Sequence, residues 1–133
     1  MAGPSDLITV SVPPDTESVQ VLRAVTASVA ARMNMPYDGI EDLRLAVDEA
    51  CAWLLALAEE ATSMTLRLRP MDDRLEAVVS IDAAGRAWPP PDLEESLSWR
   101  VLSALVDTVS LDAEASGPSI RLIKRTLEPS RTV

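Results

Sequence analysis

The sequence predicts an α+β fold: a two-layer α/β sandwich with helices on one face of a largely antiparallel mixed sheet. Three observations predict it. Patterns of strand and helix period follow one another in the order β-α-α-β-β-α-β-β. The two longest helical patterns are adjacent, and the later strand patterns come in pairs joined by turn residues. With 133 residues, 47% of them apolar, the chain has material for a single core and is too short for two domains of ordinary size.

Ile8, Val10 and Val12 alternate with Thr9 and Ser11, the signature of a half-buried strand, and Pro13-Pro14 ends it. Asp15 or Thr16 can accept hydrogen bonds from the free amides of a following turn. Leu22, Val25, Val29 and Met33 then recur at helical spacing up to Pro36. From Asp38 onward Ile40, Leu43, Val47, Ala50, Leu54 and Leu57 step by three and four without a fault, while Glu41, Asp42, Arg44, Asp48 and Glu49 point elsewhere. Ser63 to Asp82 reads as a hairpin, with Thr65 to Arg69 alternating and Leu75 to Ile81 β-rich around the turn at Pro70 to Asp73. Ala83 to Pro91 carries Gly85 and three consecutive prolines, which forbid regular structure. Leu93, Leu97, Val101 and Leu105 predict the buried stripe of a shorter helix ending near Thr108. Val109–Asp112 and Ile120–Leu127 are short strands around a turn at Gly117-Pro118. The folded domain is expected over 7–127, with disordered tails at 1–6 and 128–133.

Composition excludes several kinds of chemistry. Twelve basic residues against twenty-one acidic ones give a formal charge of −9, the wrong sign for direct nucleic-acid binding. With no histidine, His-based acid–base catalysis, Ser-His-Asp triads and His-ligated zinc are ruled out. The one cysteine, Cys51, rules out a disulfide framework and fits a reducing compartment. The start lacks a charged region followed by an apolar one, and the longest uncharged apolar stretch, Ala50 to Ala58, is nine residues, too short for a bilayer. A soluble cytoplasmic domain without membrane contact is expected. The four glycines, Gly3, Gly39, Gly85 and Gly117, contain no Gly-x-Gly, so neither a Walker loop nor a dinucleotide fingerprint is present.

Two places could carry chemistry. Asp48 and Glu49 follow Val47 on the central helix, about 100° apart, so only one of them can face a given site. On pattern alone they also read as a solvated charged face. Asp82 ends a strand directly before Ala83-Ala84-Gly85, where an Asx turn would explain it equally well. Trp53 reads as a core or pocket-filling side chain, Trp88 beside its prolines as the cap of an exposed edge, and Trp99 as part of the third helix's buried stripe. So dispersed a set of aromatics makes no base-stacking platform.

Taken together, the central helix Arg44 to Ala50, the strand-Asp82-turn, Ser98 to Leu105 followed by Val109 to Asp112, and the terminal Ser119 to Leu122 resemble the RsbW/SpoIIAB-type anti-sigma factors. These are GHKL (Bergerat, histidine-kinase-like ATPase) domains that sequester a sigma factor and, in many members, phosphorylate a serine of an anti-anti-sigma antagonist. The resemblance runs from about Leu7 to Leu127. It implies a bacterial transcription regulator whose partners are a sigma factor and an anti-anti-sigma antagonist, with homodimerisation as in relatives.

Carried over residue by residue, the resemblance makes Glu49 the catalytic base of kinase-active members and Asp82 the ligand of the adenine amino group. The Mg²⁺-holding Asn four residues after the glutamate is replaced by Trp53, whose indole offers a cation no lone pair, so no metal site is expected. The first glycine box falls on Ala84 and Arg86 with Gly85 between them, and the second on Ser96-Leu97-Ser98, where side chains occupy the space in which backbone amides would close around phosphates. The lid between the boxes shrinks to Trp88–Glu95, stiffened by Pro89-Pro90-Pro91. Arg23 matches an arginine on the first helix that contacts the sigma factor. The expectation is an anti-sigma factor acting by sequestration, with a degenerate ATP site and no cofactor. Its rivals are an active serine/threonine kinase using ATP and Mg²⁺, with Glu49 as base and Asp82 holding adenine, and a related interaction domain that binds some other regulator, for instance only an antagonist-type protein.

Overall fold

A computed structural model describes residues 6–83 and 87–126 of the chain. The elements are β1 (Ile8–Val12), α1 (Thr16–Arg32), α2 (Tyr37–Leu55), β2 (Met64–Pro70), β3 (Arg74–Ile81), α3 (Leu97–Leu105) after a 3₁₀ turn at Leu93–Glu95, β4 (Thr108–Glu114) and β5 (Gly117–Arg125). The element order is the expected one. Gly85, Leu127 and the tails, apart from Asp6, lie outside the described residues.

Local chemistry sets the helix ends. The Asp15 carboxylate caps α1 by accepting from the Ser18 amide at 2.8 Å, and this bond holds its pKa below the ordinary value. After α1, Asn34 takes a left-handed conformation (φ 60°), one that Asn tolerates better than most residues, and turns the chain into α2. Ser96 caps α3, accepting from the Trp99 amide at 3.1 Å. The far end of α3 is held from the sheet: Lys124 Nζ donates to the Leu105 carbonyl at 2.9 Å and lies 3.4 Å from Asp42 Oδ2 on α2.

The five strands form one sheet in the order β1-β2-β3-β5-β4, and every pairing is antiparallel. No parallel pairing of the expected mixed sheet occurs among the described residues. Period-two alternation sends Met64, Leu66 and Leu68, then Leu75, Ala77 and Val79, then Ile120 and Leu122 into the core, where they meet Leu22 of α1 and Leu43, Val47 and Leu54 of α2. The other face is polar: Glu76 sits 3.6 Å from both Arg69 and Arg121, and Ser11 hydrogen-bonds Thr65 at 2.9 Å. One face of the sheet is therefore covered and one is wet. No helix among the described residues is long and apolar enough to cross a membrane.

Two expectations are corrected. The connection between β4 and β5 is at Ala115-Ser116, because Gly117 and Pro118 already pair with Glu114 and Ala113. The stripe assigned to the third helix is only partly its buried side: Leu105 packs against the core, but Leu97 is 75% and Val101 44% exposed, while Leu102 is fully buried. The 3₁₀ turn at Leu93–Glu95 resets the helical phase at the Ser96 cap, and the inner side is taken by Trp99 and Leu102.

Candidate functional site

Asp48 and Glu49 serve opposite flanks of α2, as their angular separation requires. Asp48 turns to α1, where its Oδ1 is 3.7 Å from Arg23 Nε. That nitrogen is out of water and has no hydrogen-bond partner among the described residues. The candidate anchor Arg23 is thus a half-buried member of an α1–α2 ion pair, not a free surface arginine. Cys51, one turn beyond Asp48, is buried, and burial together with the Asp48 charge pushes its thiol up to about 12.

Glu49 turns toward α3. Its Oε2 accepts a hydrogen bond from Trp53 Nε1 at 3.1 Å, an i,i+4 pair on the helix surface. The Trp53 ring stacks on Trp99 of α3, with centroids 6.3 Å apart and planes 14° from parallel. The candidate base is therefore tied to an indole that bridges two helices. An indole N–H donates one bond and has no lone pair for a cation, so the residue set at this position does not fit Mg²⁺.

Asp82 leaves the end of β3 and reaches back to the chain entering β2. Its Oδ1 accepts from the amides of Thr62 at 2.8 Å and Ser63 at 2.9 Å, and its Oδ2 accepts from the Thr62 hydroxyl. The Thr62 hydroxyl above all, with the two amides, lowers its pKa. Three of a carboxylate's roughly four acceptor positions are filled by the chain itself, leaving one for an outside donor. Gly117 seats this segment from the other side. At φ +143° it lies so close that a Cβ there would stand 2.2 Å from the Ile81 carbonyl and 2.7 Å from the Ala83 amide.

Among the sequence-predicted residues the structure joins Glu49 with Trp53 and places Asp82 on a separate support. Thr62, Trp99, Asp48 and Gly117 were not recognised as partners in the sequence. Trp53's donation to Glu49 is an i,i+4 relation that the spacing does contain. Trp88 packs partly buried against the core.

Comparison with known proteins places these observations. The family model described as histidine kinase-like ATPase domain matches residues 12–124. A protein named serine-protein kinase RsbW from Bacillus velezensis is 36% identical over 83 residues, covering 60% of this chain and 52% of the relative. One named anti-sigma-F factor RsbW from Mycobacterium tuberculosis is 30% identical over 106 residues, covering 78% of this chain and 60% of the relative. The chain thus spans about half to three-fifths of the length of these relatives. A crystal structure of RsbU and RsbW domains from Mycobacterium tuberculosis shares the fold with a TM-score of 0.73 at 16% identity, over 98% of this chain and 35% of that one.

Proposed function

Because the chain belongs to the histidine kinase-like ATPase domain family and is of the RsbW type, we propose that it is a cytoplasmic anti-sigma factor. It holds a sigma factor by stoichiometric binding, releases it to an anti-anti-sigma antagonist, and does so with a nucleotide site that no longer serves phosphoryl transfer. The observation that carries this reading is the Trp53–Glu49 hydrogen bond together with the Trp53–Trp99 stack. Phosphoryl transfer depends on a metal to neutralise charge on the moving phosphoryl oxygens. Here the position that would hold it presents an indole, and the carboxylate that would act as base accepts a hydrogen bond from that indole's N–H.

A second reading, an active serine kinase with Glu49 as base, Asp82 and Gly85 holding the nucleotide, and Mg²⁺ bound elsewhere, is favoured by the names of the Bacillus relatives. One experiment separates the two. The chain is incubated with the purified sigma factors of its source organism, one at a time, in nucleotide-free buffer. A stoichiometric complex with one of them, unchanged by added Mg-ATP, is the expected result. Binding that appears only with Mg-ATP contradicts the degenerate site, and no binding under either condition contradicts the anti-sigma role.

A further inference from the structure

Helix α3 is apolar on two sides, and among the described residues the fold covers one of them. Its inner side holds Leu102, fully buried, and Trp99, stacked on Trp53. Its outer side presents Leu97, 75% exposed, and Val101, 44% exposed, one turn apart and so adjacent on the surface, with exposed Ala104 continuing the ridge. Single exposed apolar side chains are ordinary, whereas contiguous ones on a helix otherwise packed by its opposite side mark a surface meant to be covered. By contrast, Tyr37 and Leu45, the large exposed apolar residues of α2, are separated by the Glu41–Arg44 ion pair.

Charge selects the occupant. Between Asp92 and Asp107 four acidic side chains, Asp92, Glu94, Glu95 and Asp107, all exposed, accompany a single basic one, Arg100. An apolar ridge in an acidic surround is complementary to an amphipathic helix with basic flanks. A second copy of this chain laid symmetrically on the ridge would bring the same acidic groups against themselves. The ridge is also held in place at both ends, by the Ser96 cap and by Lys124 on the Leu105 carbonyl.

We propose that the Leu97–Val101 ridge of α3 is the surface on which a basic amphipathic helix of the sigma factor docks. This rests on the anti-sigma reading and supplies the apolar contact that a charge of −9 alone does not provide. The test uses the purified sigma factors of the source organism as probes, titrated by calorimetry against the wild-type chain, the double variant Leu97→Glu/Val101→Glu, and Leu7→Glu as a control beside β1, at the opposite edge of the sheet from β4. Thermal unfolding and sedimentation are recorded for each protein. Both substituted α3 positions are exposed, so the double variant keeps its unfolding temperature. The expected result is a sigma factor that binds the wild type and the Leu7 variant alike and the double variant at least tenfold more weakly. Equal binding by the double variant overturns the ridge while leaving the anti-sigma reading intact. No binding to the wild type overturns both. A wild-type dimer that the double substitution splits assigns the ridge to a second copy and overturns the proposal.

Discussion

At the residue scale, the chemistry of α2 is decided by what each side chain is tied to. Glu49 and Asp48 are neighbours in sequence, but one is bound by an indole and the other faces a guanidinium on another helix. Cys51 lies among the same groups, and its environment makes a definite prediction. Only the thiolate reacts readily with thiol reagents, and this thiol is both buried and raised to about 12. The native protein at pH 8 should therefore leave Cys51 unmodified by a chromogenic disulfide reagent, while the urea-unfolded chain releases one equivalent at once. Rapid labelling of the folded protein would show that α2 opens or that the pocket around Cys51 is wet. The sign of the linkage is equally definite. A thiol whose pKa is raised by folding favours the folded state fully below its unfolded value, about 8.5, and that contribution is lost as pH climbs toward the folded value.

At the scale of elements, the strand ends around Asp82 depend on a glycine that the sequence marked only as a turn. Gly117→Ala combines a left-handed φ with a Cβ that would meet backbone on both sides of Asp82. We expect it to cost about 2–4 kcal/mol of stability, read from urea midpoints. A loss under about 0.5 kcal/mol would mean that the Ile81–Ala83 segment can move aside without consequence. The core side of α2 was legible in the sequence because Leu43, Val47, Ala50 and Leu54 repeat at helical spacing and all end fully buried. The β2–β3 hairpin was legible because alternation has only one way to bury Leu66, Leu68, Leu75 and Val79 together. The orientation of α3 was not, because Leu97 and Val101, both exposed, repeat as regularly as the residues that are buried. The phase was set by the Ser96 cap and by the stacking of Trp99 on Trp53, a ring far away in sequence. Of the site, Glu49 and Trp53 were singled out through the family resemblance, and their four-residue spacing already contains the hydrogen bond that joins them. The pairing of Arg23 with Asp48 and of Asp82 with Thr62 required knowing which elements pack side by side.

At the scale of the whole molecule, charge governs both stability and association. Asp15, Glu41 and Asp82 all titrate below their ordinary values, because Ser18, Arg44, and Thr62 with Ser63, respectively, bond the charged carboxylates. A depressed carboxylate stabilises the fold above its unfolded pKa and loses that contribution as pH falls through its folded pKa. The urea midpoint should therefore stay level from neutral pH to about 5 and fall below about 4. A midpoint that held or rose on acidification to about pH 3 would mean that relief of the −9 charge outweighs these bonds.

The central claim, that the triphosphate site has been given over to an indole bridge between α2 and α3, is tested most directly by calorimetric titration of the purified chain with Mg-ATP. The structure predicts no heat or an affinity no tighter than high micromolar, with no dependence on the metal. Sub-micromolar, magnesium-dependent binding would contradict it.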